Sequence, residues 1–203
     1  MTPADSIRKL TQADIPRSVE VMSRSFFNDP LWLYIEPDDA KRAKLLPKVF
    51  GFFVSLGIQN GQAWGVGDPL LGFSVWSAPG EKEAFGVNGA FLRLVFSPVI
   101  FSFFKTAPVF SQFQRMQKQY APDPHFYLNT IGVHPDGQGK GLASKLIRPF
   151  LAQADAQGVN TYTETMTPSN VPLYEHYGFQ VMEQYRVLKT DLCIWSLFRT
   201  LQR

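Results

Sequence analysis

Ile131-Gly132-Val133-His134-Pro135-Asp136-Gly137-Gln138-Gly139-Lys140-Gly141-Leu142-Ala143 is the stretch on which the fold turns. The run Phe126 to Val133 before it has strand character. Leu142, Leu146, Phe150 and Ala154 after it recur at helical spacing, with Gly158 as a plausible stop. The stretch therefore reads as strand, loop, helix. Three glycines within five positions let backbone N–H groups approach a ligand closely. The first turn of the helix leaves four such donors without intrahelical partners, beside the positive end of the helix dipole. An anion belongs at such a point, although a tight turn alone would also account for the glycines. No Gly-Lys-Ser/Thr follows with Walker spacing, and Ser144 stands where a G-x-G-x-x-G pattern has its last glycine, so those two nucleotide-binding classes drop out. Pro149 inside the helix predicts a lost backbone hydrogen bond and a bend.

Working outward, Ile7 to Leu10 alternates like a short strand, and Thr11 with Asp14 resembles a capping box ahead of a helix carrying Val19, Met22, Phe26 and Phe27. Asn28-Asp29-Pro30 stops that helix, because the residue before proline is pushed out of the helical region. The next predicted helix covers Asp38 to Leu56. Gln62 to Val66 and Leu71 to Trp76 read as a hairpin. Downstream of the glycine turn, Val159 to Met166 reads as a strand, Val171 to Tyr177 as a short helix, and Phe179 to Lys189 and Leu192 to Phe198 as strands. The mixed order predicts one α/β or α+β layered domain over residues 1–203.

Composition fits a 203-residue domain with a large core, since 45% of residues are hydrophobic. Lysine and arginine number 20 against 17 acidic residues, an excess of three that suits an anionic ligand but is too small to suggest nucleic acid. The single cysteine, Cys193, cannot form an internal disulfide, and no Cys/His spacing suggests a metal. The first twenty residues lack the apolar stretch of a secretion signal, so the cytoplasm is the expected compartment. Eighteen phenylalanines are many for this length. They cluster in a helix-like segment, roughly 83–120, expected to form two or three short helices. Its longest uncharged run, Leu94 to Phe104, is too short to span a bilayer.

Gln138-x-x-Gly141-x-Ala143, after a strand ending Ile131-Gly132-Val133-x-Pro135, resembles the Q/R-x-x-G-x-G/A signature of the GNAT acetyltransferase superfamily. Glu164-Thr165-x4-Asn170-x3-Tyr174-x3-Gly178-Phe179 resembles the second half of that family's core. Together the motifs cover about residues 126–185. Within the superfamily, the run Tyr127 to Leu142 and the Glu164-Thr165 pair look most like the puromycin N-acetyltransferase type.

The resemblance implies a central mixed, mostly antiparallel sheet of about seven strands, splayed at the cofactor site and flanked by helices. It implies acetyl-CoA as co-substrate, no metal, and transfer of the acetyl group to an amine, most naturally of a small molecule. The cofactor would be held by Ile131, Gly132, Val133, Gln138, Gly139, Lys140, Gly141, Leu142, Ala143, Ser144, Asn170 and Tyr174. Gly132 would ease a bulge in the strand before the turn, and Asn170 would also cap the short helix.

Tyr174 is the candidate for protonating the departing thiolate, against a role in packing alone. Glu164 is the candidate base, with His125 or water as alternatives. The aromatic segment suggests an acceptor pocket lined by Phe91, Phe96, Phe103 and Phe104, with Trp32 from the loop after the first helix; core packing would use the same residues. Alternatives to an N-acetyltransferase are an O-acetyltransferase, a non-catalytic acetyl-CoA sensor, and an oligomeric or membrane-peripheral interaction protein. The chain is expected to be a monomer or homodimer without a transmembrane segment.

Overall fold

In the computed structural model the described residues are 6–81, 100–188 and 190–202, with side chains described from residue 107 onward in the second stretch. The strands are β1 (Arg8–Lys9), β2 (Ala63–Val66), β3 (Gly72–Ser77), β4 (His125–Val133), β5 (Asn160–Thr165), β6 (Gln180–Arg186) and β7 (Cys193–Arg199). They form a seven-stranded sheet in the order β1-β2-β3-β4-β5-β7-β6. Every neighbouring pair is antiparallel except β4 with β5.

The helices are α1 (Ile15–Ser25), α2 (Pro30–Ile35), α3 (Asp39–Gln59), α4 (Ile100–Tyr120), α5 (Leu142–Gln157) and α6 (Val171–His176). One core joins α1 to α4 to the sheet through Val21, Met22, Leu46, Phe73, Val75 and Ile194. A second core lies under α5 and α6, where Ile147, Phe150 and Leu151 meet Trp76, Phe126, Leu128 and Leu197. Alternation along β3 explains the division, because Val75 and Trp76 point to opposite faces. Trp76 stacks on Phe150 at 4.7 Å between ring centroids, and its indole N–H donates to the Leu146 carbonyl at 3.3 Å.

The helix read at Leu142 to Gln157 has those limits, with its stripe of Leu142, Leu146, Phe150 and Ala154 buried. Gly158 closes it in the left-handed region at φ 68°, where its amide bonds back to the last turn. The predicted box at Thr11 and Asp14 is present. The Arg8 guanidinium, bonded to both Asp14 oxygens, holds that carboxyl well below the usual carboxylate range.

One expectation about helices needs correction. The segment after the first helix is not a loop at Trp32. Asp29 accepts from the Leu31 amide at 3.0 Å and Pro30 takes the first helical position, so α2 starts there and buries Leu31, Trp32 and Ile35. The phenylalanine-rich stretch, where described, is one helix of 21 residues that continues through Pro108. A proline costs one bond in a long ladder, and packing on the sheet side, where Val109 and Met116 are buried, outweighs it. Phe91 and Phe96 lie outside the described residues. Phe103 and Phe104 fall in the first turns of α4.

Arg42 on α3 is 1% exposed. Its Nε donates to the Phe27 carbonyl at 2.7 Å, Nη1 to the Glu36 and Pro37 carbonyls at 2.9 and 3.1 Å, and Nη2 to Asp39. The guanidinium also lies 4.4 Å from the centre of the Phe27 ring. One side chain thus fastens both ends of the segment that carries Asp29 and α2.

Candidate active site

The parallel pair β4 and β5 is in register only from His125 opposite Asn160 to Leu128 opposite Thr163. Beyond Leu128, β4 keeps β3 on one side, with Thr130, Ile131, Gly132 and Val133 opposite Val75, Ser74, Phe73 and Gly72. Its other edge parts from β5. The divergence begins at a bulge in β4: Trp76 faces Leu128 while Val75 faces Thr130, leaving Asn129 as the extra residue. The Asn129 amide fixes this kink by donating to Ser77 Oγ at 2.9 Å and to the Tyr127 carbonyl at 3.1 Å.

The bulge is therefore not at Gly132, where it was expected. Gly132 pairs regularly with Phe73, and a Cβ there would lie 2.3 Å from Ser25 Oγ and 3.0 Å from Met22 Sδ. Its lack of a side chain serves the close approach of α1 to the sheet.

A cavity of about 270 Å³ opens at the divergence. Ile131, Glu164, Asn170 and Tyr174 line it, together with Trp32, Phe110 and Phe113. Of the expected site residues, Ile131, Glu164, Asn170 and Tyr174 thus converge, whereas Gly132 and Val133 do not line the cavity. Glu164 Oε2 accepts from the Tyr127 phenol at 2.8 Å, a bond from the paired part of β4 to the first residue of β5 beyond the pairing. Tyr174 is 4% exposed and packs edge-on against Phe179 at 5.7 Å. Burial pushes its phenol up to about 12, against a hydrogen bond with Thr163. The group is fully protonated at neutral pH and available as a donor.

Asn170 occupies the cap position of α6 without a capping bond from its side chain. The backbone there is already helical, since a single 3₁₀ turn from Pro168 to Asn170 leads into α6. The amide instead reaches Thr165 Oγ1 at 3.4 Å, on the cavity side. His125, the alternative base, is not among the residues lining the cavity. Its Nδ1 meets the Asp123 carbonyl at 2.8 Å and its Nε2 meets the Gln117 amide at 3.1 Å. That pattern fits a neutral ring donating from Nδ1, a tautomer assigned from its partners.

Past Val133 the glycine turn follows. Gly139 and Gly141 have φ of 73° and 72°, and a Cβ at either would meet nothing within 4 Å. The left-handed backbone requires glycine there, and the space beside it is open. The bond from Lys145 N to Gly141 O, at 3.2 Å, is the first of the helical pattern, so Leu142, Ala143 and Ser144 turn their amides out of the end of α5. Ser144 Oγ accepts from Arg148 Nε at 2.8 Å, which holds a cation one turn from that end. Gln138 is exposed and donates to the Val133 carbonyl at 3.3 Å. His134, buried, accepts from the Asp136 amide and shapes the turn.

Sequence reasoning missed three residues here: Asp29, Tyr127 and Asn129. Asp29 lines the cavity, partly buried, with its second oxygen accepting from Thr167 Oγ1 at 3.3 Å. Burial pushes its carboxyl up to about 6, against the bonds from Leu31 and Thr167. Its sequence context, Asn-Asp-Pro, signals only a helix boundary. Tyr127 was legible in principle, since parallel pairing sets it beside the strand carrying Glu164.

The sheet and cleft define a mixed α/β protein with a strand edge, unpaired among the described residues, leading to a helix end suited to an anion. A model of the acetyltransferase (GNAT) domain matches residues 110–181. An uncharacterised N-acetyltransferase of Schizosaccharomyces pombe is 26% identical over 200 residues, covering 91% of this chain and 77% of that protein.

Among solved structures, a histone acetyltransferase HPA2 and related acetyltransferase from Corynebacterium glutamicum superposes with a TM-score of 0.65 at 20% identity, covering 98% and 97% of the two chains. Arylalkylamine N-acetyltransferase 2 from Aedes aegypti gives 0.64 at 15%, covering 97% and 98%. These two likenesses establish the fold. The domain match and the yeast relative add a likeness in sequence to GNAT acetyltransferases. Among the described residues no cluster of potential metal ligands occurs and no helix is long and apolar enough to cross a membrane.

Proposed function

We propose that this protein is an acetyl-CoA-dependent N-acetyltransferase acting on a small-molecule amine by direct attack in a ternary complex. The observation that carries the reading is the open edge of β4 from Asn129 to Val133, which runs from the cavity holding Glu164 and Tyr174 to the glycine turn of α5. An extended chain bearing amides fits the unpaired edge, and a pyrophosphate fits the helix end, where Gly139 and Gly141 leave room.

Acetyl-CoA supplies the activated acyl carbon: the amine nitrogen bonds to it as the C–S bond breaks. Backbone groups at Ile131 and Val133 orient the chain, and amides of Gly139 to Ser144 meet the phosphates. Glu164, steadied by Tyr127, takes the proton that the amine loses, and Tyr174 gives its phenolic proton to the sulfur. Asn170 fixes Thr165 at the cavity wall. The run Tyr127 to Leu142 with Glu164-Thr165 supports kinship with the puromycin N-acetyltransferase type.

The test is release of free thiol from acetyl-CoA with a panel of amines, alcohols and peptides, beside calorimetric binding of CoA. Amine-dependent release supports the reading. Binding without release above background from any acceptor would favour a sensor, and release with alcohols alone an O-acetyltransferase.

A further inference from the structure

Arg148, the cation one turn into α5, is exposed on the flank of the helix and lies outside the cavity of the two splayed strands. Its Nε donates to Ser144 Oγ at 2.8 Å, and its guanidinium carbon is 5.5 Å from the centre of the Tyr177 ring. Helical side chains lean toward the N-terminus, and the bond to Ser144 accordingly brings the cation back beside the first turn. Tyr177, half-buried directly after α6, gives the guanidinium an aromatic face to rest on. Among the described residues, Nη1 and Nη2 have no hydrogen-bond partner. Two elements thus hold the side chain in place while the forked end stays open.

We propose that Arg148, mounted on Ser144 and Tyr177, receives the 3′-phosphate of coenzyme A, so that the protein selects coenzyme A over carriers that end at the pyrophosphate. The inference rests on the acetyl-CoA reading above, in which the amides of Gly139 to Ser144 meet the pyrophosphate. In coenzyme A the 3′-phosphate lies one ribose beyond the pyrophosphate, a step comparable to one helical turn, about 5 Å. Arg148 follows Ser144 by four residues, which is the same step along the flank of α5. A guanidinium fork matches the paired oxygens of a phosphate, and the dianion gains more from it than a neutral ribose hydroxyl does. Because Ser144 and the Tyr177 ring already fix the side chain, little rotamer freedom is left to lose on binding.

The experiment is calorimetry of the full chain with coenzyme A and with dephospho-coenzyme A, which lacks only the 3′-phosphate. The natural protein is expected to bind coenzyme A about tenfold more tightly. Arg148→Gln should weaken coenzyme A about tenfold and leave dephospho-coenzyme A unchanged, bringing the ratio near one, and Arg148→Lys should restore part of it. Tyr177→Ala should narrow the ratio without abolishing it, because the cation remains but loses its rest. Lys140→Gln, which removes the same charge from the turn itself, should weaken both carriers alike and keep the ratio.

Equal affinity of the natural protein for the two carriers overturns the inference and leaves the acetyltransferase reading standing. Equal loss of both carriers in Arg148→Gln does the same, since the guanidinium would then serve the pyrophosphate. A ratio lost as fully in Lys140→Gln assigns the preference to net charge and also overturns it. No binding of either carrier overturns both readings.

Discussion

The Asp29 carboxyl lines the cavity at a cost to the fold that can be measured. Folded, it holds its proton up to about pH 6, because burial disfavours the charge; its ordinary value is 3.8. Between these values the folded chain binds more protons than the unfolded one. Stability from this group is therefore complete below pH 3.8 and falls as pH rises through about 6. The full difference corresponds to about 3 kcal/mol, and because the residue is only partly buried, roughly half of that is expected to register.

Asp29→Asn removes the titration but keeps a side-chain oxygen for the Leu31 amide and an amide for the Thr167 hydroxyl. Urea unfolding of both proteins at pH 4 and pH 8, compared as a difference, isolates this one group from every carboxyl they share. The variant should match the natural protein at pH 4 and exceed it by about 1.5 kcal/mol at pH 8. A variant less stable at both pH values, by the same amount, would refute the reasoning. Asp29 would then be a helix cap and nothing more.

Three further substitutions test other parts of the account. Tyr174→Phe should lower kcat by about 10²-fold or more with little change in CoA affinity, if the phenol is the proton donor to sulfur; steady-state rates beside calorimetry distinguish this from a packing defect. Gly132→Ala should destabilise by about 1–3 kcal/mol in urea, because its Cβ would press on Ser25 and Met22 of α1. Arg42→Leu should cost about 3 kcal/mol or more by thermal or urea unfolding, since a buried guanidinium's bonds to three main-chain carbonyls are lost at once.

Elements governed by local signals were legible. The helix Leu142–Gln157 was read to its limits because its apolar stripe, its glycine entry and its Gly158 stop all lie within the segment. The short strands around the hairpin followed for the same reason. What escaped depends on distant partners. Asp29 before a proline looks like punctuation, and its second role needs Thr167, 138 positions away. Gly132 looked like a bulge residue because glycine in a strand permits one; only the seat of α1 against it explains its absent side chain. Asn170 fits the composition of a helix cap, yet a preceding 3₁₀ turn already supplies helical backbone and frees its amide for Thr165.

The Arg42 contacts have a bearing on how such a cavity changes over evolutionary time. Three of its four bonded groups are main-chain oxygens, at Phe27, Glu36 and Pro37, on either side of α2. A main-chain oxygen is the same whatever side chain it accompanies. Substitutions at Leu31 or Trp32 would alter the cavity wall without altering what Arg42 grips. The mounting is blind to the part it mounts, so selection can refit the cavity wall piece by piece while the attachment to α3 stays in service.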